Sequence, residues 1–166
     1  MDEDVPKQAV QDRWDDVEAD LEATAEELEG EGWSTVTLHA GDVTSMSGAT
    51  DHPPGLDVLV PDNEFEALEA ELEAGAEFTE TAVFREGAGG VTFLVCVLRD
   101  PDRRVAALFP AYYPQRGRSA EALAEHALGT GELTVFVRPL RRERGVSFVI
   151  DKPSLVFPEE HFPDAG

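Results

Sequence analysis

The chain has 166 residues, 42% of them hydrophobic, with 35 Asp and Glu against 13 Lys and Arg and a formal net charge of −22. That length fits one domain, the apolar fraction excludes wholesale disorder, and the charge argues against nucleic acid, whose phosphates would meet a strongly negative field. The single cysteine, Cys96, excludes an internal disulfide and a cysteine zinc site, and no apolar run approaches the ~20 residues of a membrane span.

The first predicted element is a helix, in which Val10, Trp14, Val17, Leu21 and Leu28 recur at spacings of three, four and seven as one apolar stripe. Asp4 can cap its start, Pro6 suits the first turn, and Gly30 or Gly32 ends it. Its other faces are Asp, Glu, Gln and Ala, so the stripe must pack on this chain's own sheet or on the helix of a second copy. Residues 33–39 alternate and read as a strand, 41–55 as a loop rich in Ser, Thr, Gly and Pro, and 56–60 as a short strand. A second helix starts near Asp62, with Phe65, Leu68 and Leu72 as its stripe and Gly75 as its stop.

A meander follows, with strands at 78–85, 91–98 and 105–113 joined by turns at 86–90 and 100–103. The middle strand is apolar on both faces apart from Thr92, which predicts a central position covered from both sides, and it holds Cys96 as a buried small hydrophobe. A third helix over about 119–128 carries Ala120, Leu123, Ala124 and Ala127 and ends at Gly129, and 133–140 and 146–150 form a hairpin. The expected fold is therefore α+β. One domain over 1–150 has a mostly antiparallel sheet of about seven strands and three helices, in the order α-β-β-α-β-β-β-α-β-β. The tail 151–166 reads as an extended arm docked through Phe157 and Phe162, each followed by a proline.

The charge is unevenly placed. Residues 1–84 hold 24 acids against Lys7 and Arg13, while residues 85–166 hold 11 of each sign, so the whole excess lies in the first half. Crowded carboxylates repel at low ionic strength, and at molar salt the Debye length falls to about 3 Å. Such a surface suits a concentrated salt solution, and with no basic, apolar leader the chain reads as cytoplasmic and salt-adapted.

No arrangement of residues specifies a reaction. His39, Asp42, Asp51 and His52 offer nitrogen and oxygen ligands, but their spacing matches no metal loop, so no metal and no cofactor is expected. Asp57 lies on a strand but lacks the second carboxylate two positions away that a shared magnesium site needs. Tyr112 and Tyr113 close the 105–113 strand with Arg116 and Arg118 just beyond, a pairing of flat rings and planar cations that suits a binding patch. Arg138, Arg141, Arg142 and Arg144 form the one basic cluster, expected to pair with the acidic half of this chain or of a second copy. The candidate binding residues are His39, Asp42, Tyr112, Tyr113, Arg116 and Arg138.

The stretches 32–43 (GWSTVTLHAGDV), 56–65 (LDVLVPDNEF), 109–113 (FPAYY) and 137–140 (VRPL) resemble a family of small acidic haloarchaeal proteins of unassigned function, over about Trp14 to Phe157. The resemblance implies a haloarchaeal cytosolic protein of one domain and brings no active-site residues with it. The primary reading is a non-enzymatic interaction or small-ligand-binding domain, with a homodimer as its candidate assembly and no membrane contact. The alternative is an enzyme of unassigned class whose polar site gathers His39, Asp42, Tyr112, Tyr113 and Arg138, which requires the loop after the first strand to lie beside the end of the 105–113 strand. A third reading is a regulator that sets its acidic helix against a basic partner.

Overall fold

The computed structural model describes residues 7–48, 53–140 and 145–158. In chain order the elements are α1 (Lys7–Gly30), β1 (Ser34–Thr37), β2 (Asp42–Met46), β3 (Gly55–Val60), α2 (Asp62–Glu73), β4 (Glu80–Ala88), β5 (Val91–Asp100), β6 (Val105–Pro114), α3 (Arg118–Thr130), β7 (Leu133–Pro139) and β8 (Val146–Ile150), with a 3-10 turn at Pro153–Leu155. They make a single α+β domain with three helices and eight strands among the described residues. The expected cap at Asp4 and Pro6 lies outside the described residues.

The strands divide between two four-stranded sheets, ordered β1-β6-β5-β4 and β2-β3-β7-β8. Both sheets are mixed. β1 runs parallel to β6 and β3 parallel to β7, while every other neighbouring pair is antiparallel. Two features go beyond the sequence reading: the division into two sheets, and β2 inside the segment that reads as a loop. β2 pairs with β3 from Asp42↔Leu59 to Met46↔Gly55 and buries Val43 alone, so its mainly polar composition hides the strand.

β5 explains its own composition. Val91, Phe93, Val95 and Val97 pack under α1, and Leu94, Cys96 and Leu98 enter a second core on the opposite face. A strand covered on both faces has no polar side, as the 91–98 run predicts. Cys96 is fully buried, and burial pushes its thiol up to about 12. The α1 stripe of Val17, Leu21, Ala25 and Leu28 lies over β1, β6 and β5. The helix ends where Trp33 N–H returns to the Leu28 carbonyl at 3.0 Å and Gly32 takes φ 93°.

The second core joins the inward faces of both sheets to Phe65 and Leu68 of α2, to Ala120, Leu123, Ala124 and Ala127 of α3, and to Val156 and Phe157. The tail docks through its first Phe-Pro pair, with the Phe157 ring 4.8 Å from that of Tyr113 and the Tyr113 hydroxyl donating to the Val156 carbonyl at 2.7 Å. Phe162 lies outside the described residues. The β4–β5 turn uses Gly89 and Gly90 at φ 61° and 84°, the two left-handed positions of a tight hairpin. A side chain at Gly89 would also stand 2.8 Å from the Ala9 methyl, so the start of α1 rests on that turn.

Between β5 and β6 the chain turns around Asp100. Its Oδ2 accepts from the Glu77 N–H at 2.8 Å, and Oδ1 accepts from Asp102 and Arg103 N–H at 3.1 Å each. These backbone donors, Glu77 first, hold its carboxyl below the ordinary range.

Candidate functional site

His39 leaves β1 between two helices. Its Nδ1 lies 2.7 Å from Glu64 of α2, its Nε2 lies 2.6 Å from Glu22 of α1, and its backbone N–H donates to Glu64 at 2.6 Å. Only the doubly protonated imidazolium donates to a carboxylate at each nitrogen. Burial works to lower the His39 pKa, but the hydrogen bonds to Glu22 and Glu64 outweigh it and raise the pKa above 6.5. The residue ties both helices to the end of β1.

Asp42, three residues later, comes beside Tyr112 of β6. Burial first, and the Asp42 charge second, raise the pKa of the Tyr112 hydroxyl. The Tyr112 ring packs edge-on against Trp14 of α1 at 5.6 Å. Tyr113 points to the other face of β6, as neighbouring strand residues must, and its buried hydroxyl is pushed up to about 12.

Arg138 of β7 pairs with Asp57 of β3. Its Nε donates to Oδ1 at 2.7 Å, and a second guanidinium N–H donates to Oδ2. The hydrogen bond to Asp57 raises the Arg138 pKa further. Asp57 is 8% exposed and Arg138 41%, so the carboxylate is buried and the cation half-covers it. The pairing of this basic cluster with the acidic half holds at Arg138; Arg141, Arg142 and Arg144 lie outside the described residues. Across the sheet, Asp42 faces Leu59 and Leu59 faces Arg138, two strand spacings in all, or about 10 Å.

The structure thus brings Asp42 to Tyr112 and gives His39, Tyr113 and Arg138 separate surroundings; Arg116 is exposed between β6 and α3. Leaving β1, the chain runs beside the middle of β6, where Leu38 N–H donates to the Leu108 carbonyl at 2.8 Å, and only Asp42 reaches Tyr112 near the end of that strand. Among the described residues, no three His, Cys, Asp or Glu side chains are arranged to hold a metal ion.

A surface feature that the sequence did not single out lies between α1 and β4. The start of α1 is fastened to the β4–β5 hairpin by the Ala9 contact at Gly89 and by Arg13, which reaches Glu86 at 2.6 Å. Further along, α1 crosses towards β1 and, among the described residues, leaves the middle of β4, the last strand of its sheet, without helix cover, while on the other face Val83 packs on the second core and Arg85 donates to the Ser154 and Leu155 carbonyls at 3.2 and 2.7 Å. Phe84 in the middle of β4 is consequently 56% exposed. Two adjoining depressions of about 610 and 260 Å³ share Phe84, Val95 and Asp20 in their walls. Glu26 and Glu27 of α1 extend the rim, so an apolar floor lies beneath an acidic helix. The sequence signal is only the strand expected over 78–85; nothing in it says which strand is an edge.

A family model for a family of unknown function, DUF7529, matches residues 3–158. No curated protein and no solved structure matches the chain. With the match running over nearly the whole of both sheets and all three helices, the chain belongs to the DUF7529 family of unknown function.

Proposed function

We propose that this protein is a non-enzymatic interaction domain of a salt-rich cytosol, and that it self-associates through the groove between α1 and β4. The observation that carries this reading is Phe84, a large apolar side chain 56% exposed at the centre of a sheet edge that has no strand partner among the described residues. An exposed aromatic on an open edge is a contact surface or an aggregation hazard. The acidic rim of Asp20, Glu26 and Glu27 suits the former, because it keeps the open edge soluble while salt screens it. The nominated polar residues support the same reading, since His39, Tyr113 and Arg138 hold the fold together through Glu22, Glu64, Val156 and Asp57. The net charge of −22 and the resemblance to acidic haloarchaeal proteins support the salt-rich setting.

Sedimentation equilibrium in ~2 M KCl, where the Debye length is only ~2–3 Å, tests the proposal. The expected mass rises with concentration from the 18.1 kDa of one chain to twice that value. A mass that stays at 18.1 kDa up to millimolar protein contradicts it.

A further inference from the structure

We propose that two copies join by antiparallel pairing of β4 with β4, about a two-fold axis that passes through Phe84; this rests on the self-association reading. β4 is a nine-residue strand (Glu80–Ala88) that ends its sheet, so its outward backbone groups have no strand partner among the described residues. An unpaired edge of that length is a template for another strand. Phe84 stands fifth of the nine, at the midpoint.

Symmetry and charge then select the register. A two-fold axis normal to the sheet sets residues of the same face opposite one another, so the axis must fall on a residue. With the axis on Val83, Glu80 faces Glu86 of the second copy, and the mirrored contact repeats the repulsion. With the axis on Arg85, two guanidinium groups face each other. With the axis on Phe84, Arg85 faces Val83, Glu86 faces Ala82 and Glu80 faces Ala88, so no like charges are opposed and all nine residues pair. Like charges directly opposite destabilise a strand pair, and aromatic pairs stabilise it. The three charges of β4 are answered within each copy, Glu86 by Arg13 at 2.6 Å, Glu80 by Arg99 at 3.7 Å, and Arg85 by the Ser154 and Leu155 carbonyls at 3.2 and 2.7 Å.

The same axis sets the two Phe84 rings side by side and places both α1 helices on one face of a continuous eight-stranded sheet, two copies of the four strands here. Asp20, Glu26 and Glu27 of each copy then flank the paired rings from both sides. Their mutual repulsion is long-ranged in dilute buffer and short-ranged in concentrated salt, so the assembly should require salt.

Cysteine cross-linking distinguishes this arrangement from any other dimer. Residues directly opposite in an antiparallel pair have Cα atoms about 4.5–5.5 Å apart, within reach of a disulfide. In ~2 M KCl with an oxidant, Phe84→Cys should form a covalent dimer. Glu80→Cys should not, because eight residues of strand, about 27 Å, separate the two copies of that position. Buried Cys96 does not compete. Phe84→Arg should sediment as a monomer with an unchanged circular dichroism spectrum. If Phe84→Arg remains dimeric and Phe84→Cys does not cross-link, the β4 arrangement is overturned while self-association stands. If the wild-type chain is monomeric at millimolar concentration, self-association itself falls. Shielding of the β4 edge that persists in dilute monomer would assign the edge to another occupant and also overturn the pairing.

Discussion

Replacing His39 with Ala tests whether that residue is a structural clamp, and the size of the effect follows from its contacts. The Glu22 arm is exposed, with side chains 37% and 54% accessible, so at 2.6 Å it contributes only the roughly 0.2–1 kcal/mol of a surface ion pair. The Glu64 arm is stronger, because Glu64 is 19% exposed and also accepts the His39 backbone N–H; a charge-assisted hydrogen bond there contributes about 1.5 kcal/mol. Together they predict a loss of about 1–3 kcal/mol for His39→Ala below the unfolded-state pKa. The folded-state pKa is raised above 6.5, so this stability is complete below 6.5 and falls away as pH rises through the folded value. Neutral imidazole keeps one N–H and turns a lone pair towards the other carboxylate, which removes the advantage of one arm. Urea unfolding in concentrated KCl at about pH 6 and about pH 9 reads the effect, with the gap between wild type and variant narrowing at the higher pH. A wild-type advantage that is constant with pH, or that grows with it, refutes the clamp.

Other consequences of the structure can be checked in the same way. Arg138→Met should destabilise by about 2–4 kcal/mol, because it strands a buried carboxylate, while Asp57→Asn should cost clearly less; denaturant titration compares them. Tyr113→Phe leaves the Val156 carbonyl without its donor and should cost about 1–2 kcal/mol, with faster amide exchange at Val156 and Phe157 seen by NMR. The melting temperature should climb steeply between about 0.1 and 2 M KCl, and a flat profile would count against salt adaptation.

Helical stripes and strand alternation made most of the fold legible in the sequence. Leu21 and Phe65 mark their helices by spacing, and the unbroken apolar run around Cys96 marks a strand covered on both faces. The two parallel pairings were not legible, because Ser34 meets Val105 and Leu56 meets Val135 across long stretches of chain, and neither strand carries a mark of its partner. β2 escaped because a five-residue polar strand with one buried side chain resembles a loop.

The candidate residues were visible as chemistry, and their partners were not. His39 stands out as one of 4 histidines, but Glu22 and Glu64 are lost among 35 acids until the helices are packed. Phe84 is one of 9 phenylalanines, and its exposure depends on the diagonal path of α1, which starts at the Gly89 turn and runs away from β4. Exposure of that kind is a tertiary property. Much of the charge of the first half lies on α1 and α2, and the α1 carboxylates Asp20, Glu26 and Glu27 rim the groove.

Hydrogen exchange measured in concentrated KCl at two protein concentrations, micromolar and millimolar, tests the central claim most directly. The account predicts that the segment Glu80–Ala88 exchanges markedly more slowly at the higher concentration, while Val91–Asp100, already paired on both sides, is unchanged. Equal exchange of Glu80–Ala88 at both concentrations would contradict it.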